Sequence, residues 1–185
     1  MKLSVVIPFY FGIEGKNELL TRCVSSLKGH DELIVIGHRS QSLPWALNVG
    51  MRSSHGDYIL VLSDDMYLKE GTLDSLCHYD YVTHPLVNGE GSVFGGAMCF
   101  PRYVWERVGL YDENFIQGGY DDDDMITRIT NAEVERRLVR SVNMGHPEIG
   151  FTLKKTSNIG IQQQNKNYYE RKWGVWEPAS VPPCL

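Results

Sequence analysis

The chain begins as an alternation of short apolar runs and amphipathic segments. Leu3–Ile7 and Glu32–Gly37 are short, apolar and β-branched, which is typical of buried strands, and Pro8 is expected to end the first of them. Between them, Asn17–Leu27 carries apolar residues at helical spacing and predicts a helix. A strand, a helix and a strand of these lengths form a βαβ unit. We therefore expect parallel pairing and a right-handed crossover.

The same alternation continues through most of the chain and predicts one α/β domain. Further strands are expected at Tyr58–Leu62, Tyr81–Pro85, Ser92–Phe100 and Glu135–Met144, and helices at Pro44–Ser54, Thr72–Tyr79, Pro101–Val108 and Asp122–Asn131. The proline-rich end, Pro178–Leu185, is expected to be loose. The fold class predicted for residues 1–185 is a mostly parallel central sheet flanked by helices.

Bulk composition excludes several classes of function. The chain has 185 residues, enough for one sizeable core, and a net charge of −5, which argues against a nucleic-acid partner. Its four cysteines form no C-x-x-C pair, so neither a zinc site nor a disulfide framework is indicated. No apolar run is long enough for a signal peptide or a transmembrane segment. We expect a cytoplasmic protein with reduced thiols.

Two acidic clusters carry the chemistry. Asp64 and Asp65 directly follow the apolar run Tyr58–Leu62, at the carboxyl end of a predicted strand, where open α/β sheets place their ligands. Mg²⁺ is often held by one or two carboxylates together with substrate phosphates, so this position favours a divalent cation. The alternative is that the pair caps the next turn, a position that aspartate also suits.

The second cluster, Asp121–Asp124, follows the Gly-rich turn Gly118–Tyr120. Aspartates at a helix N-terminus complement the helix dipole, and some of the four are expected to do only that. Four adjacent carboxylates also repel one another, which raises the pKa of some members and favours a general base. Together the clusters predict chemistry on a nucleotide-activated substrate.

Several segments resemble family 2-type inverting glycosyltransferases of the GT-A fold. The similar segments, in chain order, are Leu3–Pro8, Ala46–Gly50, Gly56–Asp65, Gly95–Gly96 with Val108–Phe115, Gly118–Arg128 and Lys172–Gly174. The Gly-Gly-acidic form of the fifth segment also resembles β-1,4-galactosyltransferases. The resemblance implies a compact GT-A-like domain with three parts: a nucleotide- and metal-binding half (1–66), an acceptor-side half (67–150) and a C-terminal segment (151–185).

The same resemblance implies roles for single residues. Asp65 and His146 would bind Mn²⁺ or Mg²⁺, and Asp122, placed by aligning Arg128, would be the catalytic base. The substrates implied are a nucleotide sugar, with a UDP-sugar expected, and a carbohydrate or other hydroxyl acceptor. Donor contacts are predicted at Pro8, Tyr10, Arg39, Asn48 and Asp64, and acceptor contacts at Gly119, Tyr120 and Asp121.

The chain departs from the family pattern where the nucleobase would bind. Gly37–Ser40 stands in place of the usual Asp-Asp-Gly-Ser, and only Gln41–Trp45 replaces a helix and a strand. Ser63 replaces the first acid of the D-x-D motif. The base pocket is therefore expected to be trimmed.

Alternatives remain open at this point. His146 is compatible with either a structural histidine or a metal ligand. Arg39 is compatible with either a phosphate contact or a solvated side chain. The late aromatics, Tyr168, Tyr169, Trp173 and Trp176, suit either stacking on a ligand or packing in the core. A sugar nucleotidyltransferase would share the metal and phosphate requirements, although Phe9–Ile13 contains only one glycine. A non-catalytic carbohydrate- or metal-binding module is the second alternative.

Overall fold

A computed structural model describes residues 1–39, 42–91, 95–147, 159–177 and 180–185. The strands within these ranges are β1 (Leu3–Tyr10), β2 (Glu32–His38), β3 (Tyr58–Leu62), β4 (Tyr67–Glu70), β5 (Tyr81–Val87), β6 (Ala97–Pro101) and β7 (Glu135–Gly145). The α-helices are α1 (Lys16–Ser26), α2 (Leu43–Ser53), α3 (Arg102–Val108), α4 (Asp121–Asn131) and α5 (Ile159–Trp173). A single 3-10 turn covers Leu73–Leu76, where a longer helix was predicted.

The described strands form one sheet in the order β2-β1-β3-β6-β5-β7-β4. The β1–β2, β1–β3 and β5–β7 pairs are parallel, and the other three neighbouring pairs are antiparallel. The predicted α/β class is therefore confirmed, but the sheet is mixed rather than mostly parallel. The short link between β5 and β6 (88–96) explains their antiparallel pairing, because a parallel connection needs a crossover of a dozen or more residues.

Alternation along the central strands divides the core into two layers. Val5, Ile7 and Leu60 face the layer that contains Cys23 of α1. Val6 and Ile59 face the opposite layer, which is completed by apolar residues of α2, α3 and α4. Because successive side chains of a strand point to opposite faces, a strand covered on both sides must be apolar throughout. That requirement explains the uninterrupted apolar runs in the sequence.

Pro8 does not end β1, contrary to the prediction. The strand continues to Tyr10 and stays paired with β2, where Pro8 lies opposite Ile36. On its other side, the pairing of β1 with β3 ends at Val6. Because the neighbour on that side has already ended, the missing N–H of proline leaves no ladder hydrogen bond unmade.

Two elements of the fold were not predicted. Strand β4 pairs with β7 at one edge of the sheet, and α5 lies in the polar tail. The chain end is also held, contrary to the expected loose tail: Leu138 of β7 donates its N–H to Pro183 and accepts from Leu185. Residues 178–179 of the predicted loose end and 92–94 of a predicted strand lie outside the described residues. None of the described helices has the length and apolarity that a bilayer crossing requires.

Candidate active site

A cavity of about 220 Å³ lies at the carboxyl ends of β1, β2 and β3. It brings together residues from both acidic clusters, which are separated by more than fifty positions in the sequence. Eight of the predicted site residues line it: Pro8, Tyr10, Asp64, Asp65, Gly119, Asp121, Asp122 and His146. This convergence is the tertiary arrangement that the predicted chemistry requires.

Asp65 and His146 form a pair on one wall of the cavity. Nε2 of His146 lies 3.2 Å from Oδ1 of Asp65, and the Ser63 hydroxyl donates to that oxygen at 2.7 Å. Burial opposes ionisation of Asp65, but the hydrogen bonds from His146 and Ser63 outweigh it and lower its pKa. The Asn88 side chain holds the backbone of His146 through bonds to both its N–H and its carbonyl. The Asp65 carboxylate is therefore ionised, and both side chains of the pair are buried and held in place.

The chemistry of this pair fits a divalent cation that is shared with a substrate. Within the described ranges, no three His, Cys, Asp or Glu side chains lie close enough to hold a metal by themselves. Mg²⁺ keeps several waters and substrate phosphates in its coordination sphere, and imidazole also suits the softer divalent ions. One carboxylate and one imidazole would supply the protein's share of such a site, and diphosphate oxygens would complete it.

Lys16 and Asp64 form a second buried pair beside the first. Nζ of Lys16 donates to Oδ1 of Asp64 at 2.5 Å, and both side chains are almost fully buried. Burial raises the pKa of Asp64, and the charge of Lys16 only partly offsets this. Lys16 is the first residue of α1, directly after Gly15 at a φ of 84°. The turn at Gly15 therefore aims the lysine into the cavity.

The second cluster begins α4, and its geometry depends on the preceding turn. Gly118, Gly119 and Tyr120 all have positive φ, and Tyr120 is the N-cap residue of α4. The N–H of Gly119 donates to Oδ1 of Asp121 at 2.6 Å. Glycine adopts positive φ without strain, so the pair allows the sharp reversal that points Asp121 and Asp122 into the cavity.

Asp122 packs directly against the backbone of Gly95. A Cβ on Gly95 would overlap the Asp122 side chain, so only glycine leaves the carboxylate its place. The adjacent Gly96 accepts a hydrogen bond from the N–H of Ser63 at 2.6 Å. Burial raises the pKa of Asp122 although backbone N–H groups, including that of Gly95, oppose the shift. The two glycines thus link the wall that holds Asp65 to the wall that holds Asp122.

The last two aspartates of the cluster point away from the cavity. Burial and the charge of Asp122 raise the pKa of Asp123 to about 6. Asp124 is fully buried and accepts from Arg128, Lys172 and the indole of Trp173 at 2.7–2.9 Å. Asp124 therefore joins α4 to α5, a structural role that the adjacent positions do not share.

Opposite effects on stability are expected from Asp121→Asn and Asp124→Asn. Burial, together with the charge of Asp122, raises the pKa of Asp121 to about 7. An acid whose pKa is raised on folding favours the native state at low pH, and that contribution is lost as pH rises from about 4 to about 7. Because one pKa unit corresponds to ~1.4 kcal/mol, Asp121→Asn should stabilise the protein by a few kcal/mol at pH 8 and hardly at all at pH 4. Asp124→Asn should destabilise it by roughly 1.5–3 kcal/mol, because the hydrogen bonds that Asp124 accepts from Arg128 and Lys172 lose their negative partner.

Urea unfolding of the metal-free protein at pH 4 and pH 8 measures both effects. Asp121→Asn keeps the oxygen that accepts from Gly119, so the comparison isolates the charge. A lower unfolding free energy for Asp121→Asn at pH 8 would contradict the raised pKa. Equal effects of the two variants would contradict the division of roles within the cluster.

Three predicted contact residues do not line the cavity. Arg39 is exposed at the end of β2. Asn48 is buried, and its amide is committed to the Tyr111 backbone and to Glu113. The Tyr120 ring packs instead against Tyr169 and Trp176. This placement does not support direct substrate contacts by these side chains, because each is committed elsewhere or faces solvent.

Lys16, His38 and Tyr111 also line the cavity, although no individual role was predicted for any of them. His38 ends β2 and meets Tyr10 edge-on, with ring centroids 5.4 Å apart. The position of His38 at the carboxyl end of a strand indicated a place near the site, since ligands of open α/β sheets bind at these ends. Lys16 carried no such signal, because a lysine in a helix is ordinary on a surface. Tyr111 was distinguished only by lying in the family-like segment Val108–Phe115.

The late aromatics pack and hydrogen-bond rather than line the cavity. The Tyr168 hydroxyl donates to Asp112 at 2.9 Å, and the Tyr169 and Thr127 hydroxyls lie 2.6 Å apart. On the same helix, the Asn165 side chain bonds the backbone of Ile116, Gly118 and Gly119. Helix α5 therefore holds in place the loop that forms one wall of the cavity.

The comparisons with known proteins agree with this architecture. Residues 86–151 match the family described as the N-terminal domain of galactosyltransferase. The chain has the GT-A glycosyltransferase fold. This GT-A assignment and the match over residues 86–151 support a glycosyltransferase enzyme. No curated protein sequence matches the chain.

Solved GT-A structures resemble the chain in fold at low sequence identity. GalNAc-T7 with UDP, GalNAc and Mn²⁺ has a TM-score of 0.64 at 14% identity, covering 79% of this chain and 44% of that one. The catalytic domain of Drosophila β1,4-galactosyltransferase 7 with xylobiose also scores 0.64, at 18% identity, with coverages of 82% and 72%. A mannosyltransferase from Pyrobaculum calidifontis with GDP-Man and Mn²⁺ scores 0.62 at 13% identity, with coverages of 98% and 66%. The chain thus spans less than half of the length of GalNAc-T7 and about two thirds to three quarters of the length of the other two proteins.

Proposed function

We propose that the protein is a metal-dependent inverting glycosyltransferase that moves a sugar from a nucleotide sugar to a hydroxyl acceptor. One observation carries the proposal. The Asp65–His146 pair and the Asp121–Asp122 pair face the same cavity, joined through the Gly95–Gly96 backbone. Neither alternative function explains why a second acidic pair with raised pKa values lies in the cavity of the first.

In the proposed reaction the acceptor hydroxyl attacks the anomeric carbon of the donor directly. The new C–O bond forms as the bond to the diphosphate breaks, and the nucleoside diphosphate leaves with that electron pair. Asp122 takes the proton of the acceptor hydroxyl, a role that its raised pKa suits, because a stronger base accepts the proton more readily. One displacement without a covalent intermediate inverts the anomeric carbon.

Asp65 and His146 are the residues that would hold the divalent cation of this reaction. A cation there would offset the negative charge of the diphosphate as it leaves. Lys16 adds the positive charge of a lysine to the same cavity and holds Asp64. A UDP-sugar is the donor that we propose, since GalNAc-T7 was solved with UDP and Mn²⁺, and a mutant of the Drosophila β1,4-galactosyltransferase 7 with manganese and UDP-Gal.

A ligand screen followed by a turnover assay tests the function. UDP-, GDP-, CMP- and dTDP-sugars would each be added with Mn²⁺, and the shift in melting temperature measured, because a ligand that binds only the native state raises it. We expect one nucleotide class to raise the melting temperature and the corresponding nucleoside diphosphate to be released when sugar acceptors are added. A shift without turnover would favour a binding module. Pyrophosphate release from a nucleoside triphosphate and a sugar phosphate would favour a nucleotidyltransferase.

A further inference from the structure

The hydroxyl of Tyr111 is a buried polar group in the cavity that the proposed reaction does not use. The side chain is 3% exposed and lines the cavity beside Asp121 and Asp122. Its hydroxyl makes no hydrogen bond to any other described residue. Buried hydroxyls are nearly always hydrogen-bonded, because losing water without a replacement partner is unfavourable. A phenylalanine would avoid this penalty, so the hydroxyl requires an explanation.

The position of Tyr111 is held from the backbone, which makes its hydroxyl a fixed feature of the cavity. Nδ2 of Asn48 donates to the Tyr111 carbonyl, and Oδ1 of Asn48 accepts from the Tyr111 N–H, each at 2.8 Å. Nδ2 of Asn48 also donates to Glu113 at 2.7 Å. Asn48 is itself buried in α2. Asn48, which was predicted to contact the donor substrate, therefore positions Tyr111 instead of lining the cavity itself.

The surroundings of Tyr111 make its hydroxyl a hydrogen-bond donor. Burial, and then the charges of Asp121 and Asp122, raise its pKa well above the usual value. The hydroxyl thus stays protonated at any pH at which the protein would work. A ligand atom that accepts from Tyr111 can at the same time donate to the neighbouring carboxylates. A sugar hydroxyl has this combination, since it carries one donor and two acceptor positions.

We propose that the Tyr111 hydroxyl recognises a hydroxyl group of the donor sugar and determines which sugar is transferred. The inference rests on the proposed function, and it identifies the group of the substrate that is recognised at that site. The donor sugar is favoured over the acceptor because Tyr111 is buried in the cavity that also contains the Asp65–His146 pair. A diphosphate held at that pair would carry its sugar into the enclosed space.

Tyr111→Phe tests the inference because it removes one oxygen and keeps the ring. Affinities for UDP, UDP-galactose and UDP-glucose would be measured by calorimetry with Mn²⁺ for the wild type and the variant. The two sugars differ only in the orientation of one hydroxyl, so their ratio reports on recognition of that group. We expect Tyr111→Phe to weaken the better-bound UDP-sugar about tenfold and to leave UDP unchanged, since a net hydrogen bond is worth about that factor. The melting temperature without ligand should stay the same or rise.

Tyr103→Phe is the matched control, because Tyr103 lies on α3 outside the cavity and packs against Tyr79. It should change none of the three affinities. Equal losses for UDP and the UDP-sugars in Tyr111→Phe, or no loss at all, would overturn the inference while leaving the proposed function intact. A wild-type protein that binds none of the three ligands would instead contradict the proposed UDP-sugar donor, and the role of Tyr111 with it.

Discussion

Replacing Asp122 by asparagine is expected to reduce sugar transfer by about 10²–10⁴-fold, the usual contribution of a general base. Asparagine keeps the size of the side chain and its hydrogen-bonding capacity, but it cannot take the proton of the acceptor. The space beside Gly95, which only a glycine leaves open, accommodates either side chain. Donor affinity should survive, because Asp65 and His146 are unchanged. The measurements are the transfer rate and the affinity for the nucleotide sugar.

Asp123→Asn is the control for this variant. It makes the same chemical change one position along the helix, at a side chain that does not line the cavity. Its transfer rate should stay close to that of the wild type. Normal turnover in Asp122→Asn with a collapse in Asp123→Asn would show that the motif is aligned one residue out of register. Normal turnover in both variants would remove the cluster from the chemistry.

Replacing Asp65 by alanine is expected to abolish the Mn²⁺-dependent part of nucleoside diphosphate binding. The change removes the carboxylate of the pair and leaves His146 alone, which is too little to hold the ion against water. The fold should persist, because Asp65 lies beyond the end of β3 and its partners are Ser63 and His146 rather than the apolar core. Calorimetric titration of UDP with and without Mn²⁺ measures the effect, and circular dichroism monitors the fold.

Asp57→Ala provides the matched control for the metal. Asp57 directly precedes β3 at its opposite end and is largely exposed, where it bonds the N–H of Lys2. The same substitution there should leave Mn²⁺-dependent binding unchanged. If Asp65→Ala retained the Mn²⁺-dependent affinity of the wild type, the metal would have to be held elsewhere. The role assigned to the Asp65–His146 pair would then be wrong.

The local sequence pattern was sufficient to predict an element or a cluster wherever residues of one type stand together. The apolar runs at β1 and β3 predicted those strands, because a strand that is buried on both faces must be apolar throughout. The run at β2 also predicted a strand, but β2 lies at the edge of the sheet and is only partly buried, contrary to the expected burial. Both acidic clusters could be located from the sequence, because an acid that follows a strand or a glycine turn is already placed at an edge of the fold. Helix α5 could not be predicted in this way. Its contacts are made by polar side chains such as Gln162 and Asn165, which leave no apolar stripe.

The sequence by itself determined an α/β chain with a trimmed GT-A pattern and two acidic clusters at the ends of its elements. Only the tertiary structure decided that Asp121 and Asp122 face the cavity while Asp124 binds Lys172 and the helix behind it. Adjacent residues of a helix point in different directions, so the four aspartates face different neighbours. The role of each aspartate therefore depends on the residues that it contacts. The places of Lys16 and Tyr111 were decided in the same way, because burial and pairing depend on neighbours that are distant in the chain.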